Sequence, residues 1–277
     1  SPFCFWTASP LRCQDCKHIR PIQNAPHLVF PVVPTAVSQR SPATTCTLVE
    51  CLRGFCATEL VHDVECRSCT LARETKDAQD DLELYEGALQ STKNVDHWQN
   101  EYDKAAERLE VLRKVDMDDD ESFAQVADIS ILVEGLSIHR AQSLKCLLLT
   151  RLPTVLTIHV QRRYFDPVQD RMTKTTQHVN FPLQLDVRPF CEAVGPNFAF
   201  EERYRRQPQF PPLLYQLVSV IEHRGNAFAG HYVCYRRDAN GDWFFVSDNQ
   251  VRRVEWADVR KASAYMLFYE SLALPVT

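Results

Sequence analysis

Gly230-His231-Tyr232-Val233-Cys234-Tyr235-Arg236-Arg237, then Asn240-Gly241, then Trp243-Phe244-Phe245-Val246-Ser247-Asp248 reads as two strands joined by a turn. Both runs are rich in aromatic and β-branched residues, which suit a pleated surface. Asn-Gly favours the type I′ hairpin turn, because both central residues need positive φ and these two tolerate it best. The hairpin brings the imidazole of His231 within reach of Ser247 and Asp248. An imidazole held by a polar neighbour is half of a nucleophilic triad. With a strict two-residue loop, Val233 faces Asp248 and Cys234 faces Ser247, which puts Asp248 on the His231 face; a bulge or a three-residue loop reverses the assignment.

Short runs of the same character surround this hairpin. Leu152 to Arg162, His178 to Asp186, Tyr215 to Ile221 and Ala264 to Glu270 alternate or run apolar. With the two hairpin strands they predict an antiparallel sheet. Arg188 to Pro212, rich in Pro and Arg, reads as a long surface loop.

The N-terminal quarter has a different chemistry. Cys13-x-x-Cys16 returns as Cys66-x-x-Cys69, the two-knuckle pattern of a structural zinc site. Four thiolates would fill a tetrahedron and leave no position for water, so the expected Zn²⁺ is structural. Cys46, Cys51 and Cys56 lie between the knuckles, but Thr47-x-x-Glu50 is a capping box, and Leu48, Leu52 and Phe55 follow at helical spacing. Those three cysteines are read as residues of one helix running to Glu59, not as ligands. Pro21 to Pro42 is expected to be extended.

Residues 74–121 carry sixteen Asp and Glu against six Lys and Arg, whereas the whole chain of 277 residues is at −5, so the acidity is local. Within that stretch Val95, Trp98, Tyr102, Ala105, Leu109 and Leu112 are spaced as the narrow apolar seam of an amphipathic helix. Asp116 to Glu121 reads as a solvated acidic loop.

Composition excludes several classes. With 45% hydrophobic residues the chain can bury a large core. Its charge gives no clustered basic face for nucleic acid. No run approaches the roughly 18 to 20 apolar residues of a membrane span, and no cleaved signal peptide is recognisable at the N-terminus. Eleven cysteines, irregular outside the two pairs, argue against a secreted disulfide framework and for a reducing compartment.

The residues around His231 also resemble a known family. Gly230-His231-Tyr232 with Trp243, Ser247-Asp248, Val251 and Ala264-Tyr265-Met266-Leu267-Phe268-Tyr269 is similar to the His box of the ubiquitin-specific proteases, which are papain-like cysteine hydrolases. Leu152-Pro153-Thr154-Val155-Leu156-Thr157-Ile158-His159-Val160-Gln161-Arg162 resembles that family's "LP-x-VL-x-IHL-x-R" strand, and Lys174 through Val179-Asn180-Phe181-Pro182-Leu183 and Leu185-Asp186 its "V-x-FP-x-x-LD" segment. The resemblance implies an α+β papain-like fold with zinc-binding fingers over 1–73, an acidic helical insert over 74–142 outside the resemblance, and an antiparallel palm carrying the His box over 143–277.

It also implies roles. His231 would be the general base and then acid, with Ser247 orienting it where most members carry Asp or Asn; Asp248 is the next candidate. The loop His223 to Gly230 resembles the mobile loop over the ubiquitin tail, and His223, Gly230 and Tyr265 are the expected tail-binding residues. Cys13, Cys16, Cys66 and Cys69 are the expected zinc ligands. The implied partners are ubiquitin and ubiquitinated proteins.

The family's "G-N-T-C-x-x-N" box, which carries the nucleophilic cysteine on a helical thumb, does not occur in the sequence. Cys4, Cys146, Cys191 and Cys234 lack its glycine-rich approach and following helix. The expectation is therefore a thumb upstream of Ser1, and a chain that alone does not turn over. A ubiquitin-binding or scaffold module without activity is the alternative. Val246-Ser247-Asp248, in place of the common Phe-Asp-Asp, resembles the mitochondrial outer-membrane branch of the family, whose anchor would precede Ser1; a cytoplasmic protein is the other expectation.

Overall fold

The computed structural model describes residues 1–20, 24–35, 44–91, 94–117, 119, 121–124, 137–191 and 212–272. The chain forms two compact units, one of Ser1–Ser9, Gln23–Thr58 and Cys146–Thr277, the other of Pro10–Ile22 and Glu59–Lys145. These groupings cross the consecutive segments 1–73, 74–142 and 143–277: part of the N-terminal stretch sits in the first unit, and the insert shares the second with the two cysteine pairs.

The first unit is organised by an eight-stranded sheet of β1 (Phe30–Val32), β2 (Val155–Val160), β3 (Gln184–Asp186), β4 (Leu214–Gly225), β5 (Gly230–Arg237), β6 (Trp243–Ser247), β7 (Gln250–Val254) and β8 (Ala264–Ser271). Its order is β7-β6-β5-β4-β8-β2-β1, with β3 also paired to β4. Every pairing is antiparallel except β2 with β1, where Ile158 lies opposite Phe30. The expected palm strands are thus present. His178 to Asp186, however, makes two short strands, His178–Asn180 and Gln184–Asp186, because Pro182 between them has no N–H to continue a ladder. β7 and β1 were not expected.

Alternation along these strands buries one face. Val220, Val233, Tyr235, Phe245 and Leu267 enter a core shared with Leu48, Cys51 and Leu52 of helix α1 (Leu48–Phe55). Each large apolar side chain so buried contributes roughly 1.5–3 kcal/mol. The capping box is complete, with Thr47 Oγ1 accepting from the Glu50 N–H and the Glu50 carboxylate accepting from the Thr47 N–H. The helix stops at Phe55 and does not run to Glu59, which begins the strand Glu59–Glu65. Cys46, Cys51 and Cys56 are all buried in this core.

A buried guanidinium ties the sheet together. Arg162 is 2% exposed and donates from Nε to the Ala264 carbonyl and from Nη1 to the Gln177 carbonyl, both at 2.7 Å.

The second unit holds a four-stranded sheet, in the order Ile19–Arg20, Leu11–Cys13, Arg140–Lys145 and Glu59–Glu65, together with the helices α2 (Arg67–Ser91) and α3 (Val95–Arg113). Helix α3 is the one expected from its apolar seam, and Ala105, Leu109 and Leu112 are its buried residues. Helix α2 was not anticipated. Its buried stripe is only Thr70, Leu71, Glu74 and Ala78, and the Glu74 carboxylate is ion-paired to Arg108 of α3. Among the described residues no helix is long and apolar enough to cross a membrane. Most of Pro21 to Pro42 beyond β1 and the strand Asn24–His27, and nearly all of Arg188 to Pro212, lie outside the described residues.

Candidate functional site

The loop between β5 and β6 decides which side chains meet His231. It is not the expected type I′ turn: of its residues only Gly241 has positive φ, at +93°. The Asp238 N–H donates to the Asp242 carbonyl at 2.9 Å, the Gly241 N–H to the Asp238 carbonyl at 3.1 Å, and the Asp242 N–H to Asp238 Oδ1 at 2.8 Å. This is a three-residue connection, Ala239-Asn240-Gly241, with glycine in the position that requires positive φ. Cys234 therefore pairs with Val246, and Tyr235 with Phe245. Continued by one step, that register sets Ser247 opposite Val233 and on the His231 face. The two-residue register, with Asp248 on that face, is corrected.

The ring responds accordingly. His231 Nε2 lies 2.9 Å from Ser247 Oγ and 3.6 Å from Asp248 Oδ2. The first is a hydrogen bond; the second is a charge contact beyond hydrogen-bonding range. Asp248 holds φ +47°, in the two-residue turn between Ser247 and Gln250. Its side chain is 79% exposed and that of His231 48%, so solvent screens the carboxylate and the hydroxyl dominates orientation. With Nε2–H donating to Ser247, Nδ1 is the nitrogen that can exchange a proton with a thiol.

The expected tail residues form a second cluster on β4, β5 and β8. His223 packs against Tyr232 at a tilt of 47° with ring centres 4.8 Å apart, Tyr232 lies 5.5 Å from Tyr265, and His223 lies 6.4 Å from Tyr265. His159 of β2 meets Tyr265 edge-on at 4.7 Å. Gly230 lies against His223: a Cβ there would come within 2.3 Å of His223 Nε2. Gly225, at φ +141°, could carry no Cβ either, since Ala229 O would be 2.3 Å away. Burial lowers the pKa of His223, with help from the charges of Lys174 and Arg163. Burial raises that of Tyr265. Tyr232 was missed, although its period-2 spacing from Gly230 was a readable signal; His159 and Lys174 lie within family-resembling segments, but nothing local to either signals that it meets this cluster.

The four cysteines of the two pairs also converge. Cys13 Sγ is 3.8 Å from Cys69 Sγ, Cys16 Sγ is 3.6 Å from Cys66 Sγ, and all four sulfurs lie within 4.8 Å of one another. A tetrahedral ion with Zn–S bonds of about 2.3 Å needs sulfurs roughly 3.8 Å apart, so the set fits. Burial works against the Cys16 thiolate, yet hydrogen bonds from the His18 backbone and the Ser68 side chain pull it down to about 7; burial pushes Cys66 up to about 11. Cys13 ends a strand, Cys16 lies in the turn that precedes Lys17 at φ +64°, and Cys69 is in the first turn of α2.

Comparison with known proteins points to one family. The profile of the ubiquitin carboxyl-terminal hydrolase family matches residues 2–269. Ubiquitin carboxyl-terminal hydrolase 45 of Danio rerio is 34% identical over 150 residues, covering 46% of this chain and 17% of that protein. Ubiquitin carboxyl-terminal hydrolase 27 of Arabidopsis thaliana is 29% identical over 250 residues, covering 82% of this chain and 45% of that protein. The chain thus spans less than half the length of these relatives. Among solved structures, the SAGA Ubp8/Sgf11/Sus1/Sgf73 DUB module bound to ubiquitin aldehyde superposes with a TM-score of 0.62 at 17% identity, over 99% of this chain and 42% of that one. The fold is the one the resemblance implied.

Proposed function

The chain belongs to the ubiquitin carboxyl-terminal hydrolase family, and from that premise we propose that it carries the histidine half of a thiol-dependent deubiquitinase. The reaction is hydrolysis of the isopeptide or peptide bond after the C-terminal glycine of ubiquitin. His231 takes the thiol proton, returns it to the leaving amine, and then activates the water that releases the acyl group from sulfur. Ser247 holds the ring and Asp248 adds a screened negative charge beside it. The observation that carries this reading is the 2.9 Å contact between His231 Nε2 and Ser247 Oγ on a half-exposed ring.

The thiolate comes, in this reading, from the family's cysteine box, which the 277 residues do not contain. Cys234 Sγ is engaged with Ser219 Oγ at 3.3 Å, and Cys13, Cys16, Cys66 and Cys69 are grouped as ligands for a structural Zn²⁺. The aromatic cluster of His223, Tyr232 and Tyr265, with Gly230 against it, would receive the diglycine tail. Residence at the mitochondrial outer membrane rests on Val246-Ser247-Asp248 and belongs to the same proposal; cell fractionation checks it.

The test is hydrolysis of a ubiquitin C-terminal fluorogenic substrate by the protein with its cysteine box joined, lost in His231→Ala. The same experiment speaks to the alternative, a ubiquitin-binding module without turnover. Joining the box and finding binding without hydrolysis would select it.

A further inference from the structure

The strands Arg163–Asp166 and Arg171–Lys174 form a two-stranded ribbon, and Lys174 closes it opposite Arg163. Its ammonium meets three acceptors: the His223 carbonyl at 2.8 Å, the Gly225 carbonyl at 2.9 Å and His223 Nδ1 at 3.1 Å. An ammonium has three N–H donors and no acceptor, so all of its protons are committed to one short segment of β4. Because lysine can only donate, Nδ1 must accept. The proton of the neutral imidazole therefore sits on Nε2.

This arrangement is more than a surface lysine coming to rest. Lysines ordinarily keep the ammonium in water and bury only the stem. Here burial disfavours the charge and lowers the pKa of Lys174, with Arg162 adding to the effect. The segment it grips is fixed from other sides as well. Gly225 pairs with Gly230, and Asn226 Oδ1 accepts the N–H groups of Phe228 and Ala229 at 2.8 and 2.9 Å. His231 follows directly. Lys174 thus joins the ribbon to the turn that delivers the histidine, across 49 residues of sequence.

We propose that Lys174 is a positioning residue: it fixes the His223–Gly225 backbone and the Nε2–H tautomer of His223, and so holds the aromatic cluster of His159, His223, Tyr232 and Tyr265 in the arrangement that receives a diglycine tail. The tail rests on the deubiquitinase reading; the tautomer rests on geometry alone.

Histidine-selective ¹⁵N labelling of the protein reports the tautomer of each ring, and titration with monoubiquitin reports the aromatic cluster. The wild type shows His223 as the Nε2–H form. Lys174→Met leaves His223 a mixture of tautomers and weakens monoubiquitin binding about tenfold, as expected for one charge-assisted hydrogen bond. Lys174→Arg, which still only donates, keeps the Nε2–H form and covers the case in which the methionine variant does not fold. An Nδ1–H tautomer in the wild type overturns the proposal. So does a Lys174→Met variant that loses thermal stability while its His223 tautomer and ubiquitin affinity stay put. A wild type with the expected tautomer and no affinity for ubiquitin sinks the deubiquitinase reading and leaves the clamp standing.

Discussion

At the cysteine cluster, two turns bring four thiols within 4.8 Å of one another and fill every corner of a tetrahedron. At His231, one hairpin brings an imidazole to a hydroxyl and, among the described residues, engages its Nε2. Both clusters use tight turns to place chemical groups, but the first is closed and the second open. A closed cluster spends its chemistry on holding the chain together; an open one keeps capacity for a proton and a substrate. Changes at the first should therefore appear as stability, and at the second as rate.

The largest effect is expected at the closed cluster. Cys66→Ser should lose about one bound zinc per chain by metal analysis, and with it binding free energy on the order of 10 kcal/mol, enough to unfold the second unit. A variant that keeps its metal and melting temperature would erase the contrast. Next, His231→Ala in the protein with its cysteine box joined should lower kcat by about 10³-fold or more with little change in melting temperature. If instead the variant melted early, the imidazole would belong with the cysteines as a structural group.

A smaller change sharpens the comparison from within the open site. Ser247→Asp places a carboxylate where the hydroxyl now meets the ring, and it should raise kcat about tenfold, the equivalent of ~1.4 kcal/mol of imidazolium stabilisation. Equal or lower activity would mean that Asp248 already supplies the useful charge. The smallest effect concerns His223, whose pKa is lowered by burial and by the charges of Lys174 and Arg163. The unfolded chain then binds a proton more readily than the folded one. This contribution is intact above the usual histidine value of about 6.5 and is lost as the pH falls below it. NMR titration should find His223 titrating below the ordinary range, and Lys174→Met should move it upward; no movement would remove the lysine from the cluster's electrostatics.

What could be read in advance was what the chain encodes locally. Thr47 to Glu50 announces α1 because its cap is made by residues three apart, and the seam from Val95 to Leu112 announces α3 because burial follows its period. Helix α2 gave no such signal: a charged stretch becomes a helix partly because Glu74 finds Arg108 on α3, a partner no window of sequence reveals. The parallel pairing of Phe30–Val32 with Val155–Val160 was hidden for the same reason. At the site, Asn240-Gly241 signalled a hairpin correctly but mistyped its turn. The Asp238 side chain, bonded to the Asp242 N–H, favours a longer loop with positive φ at glycine alone. The sequence motif and the two-residue register disagreed over Ser247, and the three-residue loop resolves the conflict.

That loop has a further consequence for how the protein can change over time. Side chains alternate along a strand, so the Ala239-Asn240-Gly241 connection acts as a counter whose parity selects the neighbour of the imidazole. Losing or gaining one amino acid there would turn the serine to the other side of the sheet, while an even-numbered indel would restore it. Natural variation in length at this bend should accordingly come in twos.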